Sequence, residues 1–178
     1  EVHASAFRSD EIPRHYARMR SAAEAVRKTM PKVRVFVMDS AIAAVSGCLY
    51  DRPEPKGDSA VALNVGNSHV TASIVRQHQL VGFMEHHTAL LSPYKLVRFL
   101  RKLQSRTLTS NEISSDGGHG AFYLDGSTIR GNNVVLVTGP RRRIVEETGL
   151  KVRYAAPTGD VMMTGVYGLV KAVERMLR

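Results

Sequence analysis

The chain has 178 residues, 43% of them hydrophobic, a formal net charge of +9, a pI near 10.1 and one cysteine, Cys48. That length can bury a core for one domain with an appendage. No apolar run approaches the ~18 residues that cross a bilayer, and a lone thiol excludes an internal disulfide and a cysteine-held metal cluster.

The opening Glu-Val-His-Ala-Ser lacks both a starting Met and the apolar core of a signal peptide, so the sequence reads as an excerpt of a longer protein. Ile12, Tyr16, Met19, Ala23, Val26 and Met30 recur at steps of four and three, which predicts an amphipathic helix closed by Pro31. Val33 to Met38 predicts a short buried strand. Ser40 to Tyr50 is rich in small residues and predicts a helix packed closely against another backbone. Within it Cys48 reads as a small buried apolar residue, because no activating partner sits beside it in sequence. Arg52 to Asp58 is a polar Pro/Gly linker and the natural lobe boundary.

Ala60 to Val65, Ser68 to Val75 and Leu80 to Glu85 predict three strands, joined by turns at Gly66-Asn67 and Gln77-His78. Ser92-Pro93 predicts a helix start with Leu96, Val97, Leu100 and Leu103 as its buried stripe. Thr107 to Asn132 is polar and Gly-rich and predicts a long ordered loop. Val134 to Val137 predicts a fourth strand. Pro140 opens a short helix ended by Gly149, and Val152 to Ala155 predicts a fifth strand. The last helix carries Met163, Val166, Val170, Val173 and Leu177 on one face. The expected fold is therefore α/β: a mixed five-stranded sheet, an antiparallel meander plus αβ units, covered by helices. Gly165 and Gly168 weaken the last helix by roughly 1 kcal/mol each. They mark a close approach, for which packing is the favoured reading over the floor of a nucleotide cleft.

This order and its loops resemble the lobe shared by actin, sugar kinases and heat-shock-chaperone ATPases, a ribonuclease-H-like fold. Ala41 to Gly47 resembles the connecting helix of those proteins. Asn64-Val-Gly66-Asn67-Ser68-His69-Val-Thr71 resembles their second phosphate loop. Val134 to Pro140 resembles their adenosine loop, and Pro157 to Gly165 the second connecting helix. More closely, the chain resembles a prokaryotic family of unknown function often labelled as a pyruvate formate-lyase activating enzyme. Asp10 to Pro13, Glu85 to Thr88, Asp116 to Ala121, Thr138 to Arg143 and Pro157 to Gly165 carry that likeness, which covers most of the chain. A radical activase of that name would need three closely spaced thiolates. With Cys48 alone, no iron–sulfur cluster is expected here.

The resemblance implies that residues 1–39 end a preceding lobe, 40–57 connect, and 58–178 form an actin-like nucleotide-binding lobe. The implied partners are the upstream lobe and a nucleotide, ATP or a relative, or phosphate. Asn64, Gly66, Asn67, Ser68, His69, Thr71, Gly139, Pro140, Arg141 and Arg142 would contact it. The actin-like ATPases carry a carboxylate where Asn64 stands. A neutral amide cannot neutralise Mg²⁺, so metal binding and turnover are weakened more than nucleotide binding. A kinase- or ATPase-like enzyme and a binding member without turnover both remain open.

Arg141, Arg142 and Arg143 crowd a predicted helix start, where a bound anion would offset their repulsion. Alternatively they reach into water. Asp116, His119 and His86 are candidate catalytic groups for a third reading, a metal-dependent hydrolase with His119 as base and Asp116 orienting it. Asp116 and His119 are also the pair the Gly-rich loop would offer a metal. Neighbouring His86 and His87 would point to opposite faces of a strand and cannot easily share an ion. The scattered basic residues and missing RNA-binding motifs argue against a nucleic-acid partner. The composition suits the cytoplasm, with no membrane partner.

Overall fold

The computed structural model describes residues 5–51, 59–124 and 134–178. The linker read at Arg52 to Asp58 lies outside the described residues, as do the last residues of the Thr107–Asn132 stretch.

Two short strands, β1 (Ala6–Arg8) and β2 (Phe36–Met38), pair antiparallel on either side of α1 (Ala17–Thr29). Of α1's residues only Ala23 is buried. Helix α2 (Ser40–Tyr50) follows, capped by Asp39, whose Oδ1 accepts from the amides of Ala41 at 2.9 Å and Ile42 at 3.3 Å.

The main sheet has six strands, not five, in the order β6-β5-β4-β3-β7-β8. β3 (Ser59–Val65), β4 (His69–Arg76) and β5 (Gln79–His87) form the expected antiparallel meander. Gln77 and His78 adopt φ of 48° and 65°, the doubly left-handed turn that matches strand twist. The stretch read as a loop contains the extra elements. Thr109 caps α4 (Ser110–Ser115), and β6 (Gly120–Tyr123) adds to the edge of β5. β6 has only four residues between glycine-rich and polar flanks, too few to register as an alternating run, and its strand conformation comes from pairing with β5. β7 (Val134–Thr138) and β8 (Val152–Tyr154) run parallel to β3.

The two faces differ in what covers them. On one, Val61, Leu63, Val70, Ile74 and Met84 meet Leu96, Phe99, Leu100 and Leu103 of α3 (Pro93–Gln104). Each such side chain fully buried contributes about 1.5–3 kcal/mol. Phe99, rather than the expected Val97, completes the α3 stripe. Ser92 caps α3, with Pro93 at its first position. On the other face, Ala60, Ala62 and Leu136 meet Val45 and Cys48 of α2.

α5 (Thr164–Met176) crosses α2 on that second face. Its buried line is Thr164, Gly168 and Ala172, not the larger apolar stripe. Val166 and Val170 are about half exposed, at 50% and 47%. The packing reading of the glycines holds for Gly168: a Cβ there would strike the Ala43 carbonyl of α2. Hydrophobic periodicity tracks side-chain size, whereas this crossing selects residues with almost no side chain. No helix among the described residues is long and apolar enough to cross a membrane.

Candidate functional site

β3 pairs antiparallel with β4 on one side and parallel with β7 on the other. The chain continues from β3 to β4 on one side and from β7 to β8 on the other, so strand order reverses between β3 and β7, whose carboxyl ends lie side by side with Asn64 opposite Thr138. Crevices at such switch points are where open α/β sheets bind ligands. Here the two predicted loops meet. The Arg141 amide donates to the Val65 carbonyl at 3.0 Å. Gly139 has φ of +98°, and a Cβ there would meet the Val65 carbonyl and sit 2.8 Å from Asn64 Oδ1, so the position admits only glycine.

The turn after β3 is tied down on both sides. The Gly66 amide donates to the His69 carbonyl at 2.9 Å. Thr88 donates its hydroxyl to the Gly66 carbonyl and its amide to the Ser68 carbonyl, each at 2.9 Å. Asn67 and Ser68 project at the exposed tip, and among the described residues their amides have no partner. Thr71 lies farther in, buried between Asn64 and Glu85 in the register. Its hydroxyl has no hydrogen-bond partner among the described residues.

Beyond Gly139, Pro140 and Arg141 are exposed and a 3-10 helix spans Arg142–Thr148. Arg142 donates Nη1 to the Gly139 carbonyl at 3.2 Å, which holds its guanidinium against the loop, while Arg143 is exposed. A cleft of about 320 Å³ opens here, lined by Arg142, Arg143, Glu146, Tyr154, Ala155 and Gly159.

The histidines divide between the two faces, as alternation along β5 requires. His86 is completely buried, stacked on Phe99 at 5.7 Å. Its Nδ1 lies 3.2 Å from the His87 carbonyl and its Nε2 lies 3.1 Å from Asp116 Oδ2. Both nitrogens thus face oxygen atoms, and which of the two contacts carries the ring hydrogen depends on the tautomer. Asp116 also accepts from Lys95 Nζ at 2.8 and 2.9 Å. That Lys95 hydrogen bond holds the Asp116 carboxyl below its usual range. Lys95, Asp116 and His86 form a polar clamp joining α3, the end of α4 and β5.

His119 is not part of that clamp. Its amide donates to the Glu85 carbonyl at 3.0 Å, and its ring sits with those of His69 and His87, at centroid distances of 4.9 and 4.7 Å. His69 pairs with His87 in the β4–β5 register, their rings 4.8 Å apart. From sequence, His69 falls at the start of the second predicted strand and among the nucleotide-contacting residues, with nothing linking it to His87 or His119. The signal available was that β4 and β5 form a hairpin carrying a histidine near each open end.

The family described as "Putative pyruvate format-lyase activating enzyme (DUF1786)" matches residues 1–144. The chain belongs to that family. A search of the curated proteins gives no match. In this family member Cys48 is buried in the α2 core, and burial, helped by Asp51, pushes its thiol up to about 12. One buried thiol cannot hold the iron–sulfur cluster that the family's label would call for.

Proposed function

We propose that this family member is a nucleotide-binding protein of the actin-like plan. Residues 58–178 form the binding lobe, 40–57 the connection, and 1–39 the closing piece of a preceding lobe. The observation that carries this reading is the contact between the Gly66 and Gly139 loops at the carboxyl ends of a parallel strand pair. Amides at the tip of one loop and the arginines of the other then address a phosphate from two sides. The cleft beside Arg142 and Tyr154 is of a size to take a base and sugar. The close crossing of α2 and α5 supports the same plan, because Ala41 to Gly47 and Pro157 to Gly165 resemble its two connecting helices.

Asn64 favours binding over turnover. It occupies the end of β3 nearest both loops and presents a neutral oxygen there. A Mg²⁺ ion shared with a triphosphate gains no charge neutralisation from it.

Calorimetry of the full-length protein with ADP and ATP, with and without Mg²⁺, tests the reading. Saturable heat, a raised melting temperature and weak dependence on Mg²⁺ are expected. Arg141→Ala, at an exposed position that leaves the fold intact, should weaken binding by about tenfold, the scale of one charge-assisted contact. If neither heat nor melting temperature responds to any nucleotide, the reading fails.

A further inference from the structure

We propose that His69, His87 and His119 form a binding site for a borderline transition-metal dication, Zn²⁺ first, with a fourth coordination position open to solvent. The site does not depend on nucleotide binding.

Two strands of the meander and the residue leading into β6 build it. His69 opens β4, His87 closes β5, and His119 immediately precedes β6. One potential ligand nitrogen from each ring lies within 4.8 Å of the others. Zn–N bonds of about 2.0–2.1 Å place tetrahedral ligands about 3.4 Å apart, so small rotations of the side chains close the set. Hydrogen-bonded strands and the His119–Glu85 backbone bond fix the three Cα positions, so little ordering is left to the ion. Among the described residues none of the three rings has a hydrogen-bond partner, in contrast to His86, whose nitrogens are both engaged. Their lone pairs are therefore available.

Imidazole nitrogens suit Zn²⁺, Cu²⁺ and Ni²⁺ over Mg²⁺ and Ca²⁺. Three protein ligands with one open position is the arrangement of reactive rather than purely structural zinc. His69 and His87 are half-buried and His119 is exposed, so solvent reaches one side. His119 also lines a cleft of about 250 Å³ with Glu85, Ser110, Phe83 and Phe122. A water or a small anionic oxygen ligand on the ion would have room there, beside a carboxylate.

The test uses the protein without a histidine tag, stripped with chelator and exchanged into chelator-free buffer. It is titrated with Zn²⁺ by calorimetry and with Co²⁺ by visible absorption. One equivalent and the intense visible bands of low-coordinate Co²⁺ are expected. Losing an outer partner of a metal ligand already costs about 10–100-fold, so His87→Ala and His119→Ala should each weaken Zn²⁺ binding by about 100-fold or more. His15→Ala, remote from the site, should leave it unchanged. Should His87→Ala fail to fold, the exposed His119→Ala decides alone. No metal uptake, or uptake that His119→Ala leaves unchanged, overturns the proposal.

Discussion

Gly165 and Gly168 lie one turn apart in α5, yet replacing each with alanine should move stability in opposite directions. Alanine gains about 1 kcal/mol over glycine in a helix interior. Gly165 is the second residue of α5, so only part of that gain applies, and nothing opposes it, because the nearest atom to a new Cβ is the Ala44 nitrogen, an ordinary contact at 3.7 Å. At Gly168 the same methyl would strike the Ala43 carbonyl and crowd the Gly47 nitrogen, both backbone groups of α2. No rotamer change relieves a backbone clash, so the two helices must separate. They would also lose the Ser46 hydroxyl's bond to the Gly168 carbonyl, 3.4 Å long. Overpacking costs about 1–3 kcal/mol, and with no soft neighbour the upper end applies. The net expectation is a loss of about 2 kcal/mol for Gly168→Ala and a gain of about 0.5–1 kcal/mol for Gly165→Ala. At about 2–4 °C per kcal/mol for a chain of this size, the two melting temperatures should differ by about 5–12 °C. Thermal and urea unfolding followed by circular dichroism measure both. If Gly168→Ala melts at or above the parent, the α2–α5 contact described above is wrong.

Cys48 should be unreactive toward a thiol reagent in the native protein and react as one equivalent in denaturant, since only unfolding frees a thiol raised to about 12. Rapid native labelling would contradict its burial. Asp116→Asn should destabilise the protein at neutral pH by about 1–3 kcal/mol, because it leaves buried His86 and Lys95 without their shared carboxylate. The Asp116 pKa is lowered from its usual 3.8 by Lys95, so its stabilisation is present above that value and lost as pH falls through the lower folded pKa. The gap between variant and parent should therefore close in acid unfolding below about pH 4. A gap that persists there would deny the ion pair its role. Asn64→Asp should make nucleotide binding more Mg²⁺-dependent, read as a larger change in dissociation constant on adding the ion; no change would remove Asn64 from the site.

Much of the fold was legible because it rests on local chemistry. The capping Ser92 and Pro93 marked α3, the run of small residues marked α2, and the turn residues at 66–67 and 77–78 divided the meander. Each of these signals acts within a few residues of itself. The Gly66 and Gly139 loops could be named from sequence, but their adjacency comes from β7 pairing parallel with β3 across a long connection.

The histidine trio is the clearest case of a feature that sequence could supply only in part. An uninterrupted hairpin running back from the Gln77-His78 turn would set His86 opposite His69. A shift of register between Ile74 and Val75 gives β5 one extra residue, and His87 becomes the partner instead. A one-residue slip exchanges the two faces of a strand. That bulge sends His86 into the core to meet Phe99 and Asp116, and brings His87 beside His69 and His119. Sequence determined which side chains were available and which segments would be strand, helix or turn. Only tertiary packing decided which histidine each face received, because register is set by the burial of the whole strand rather than by any residue in it.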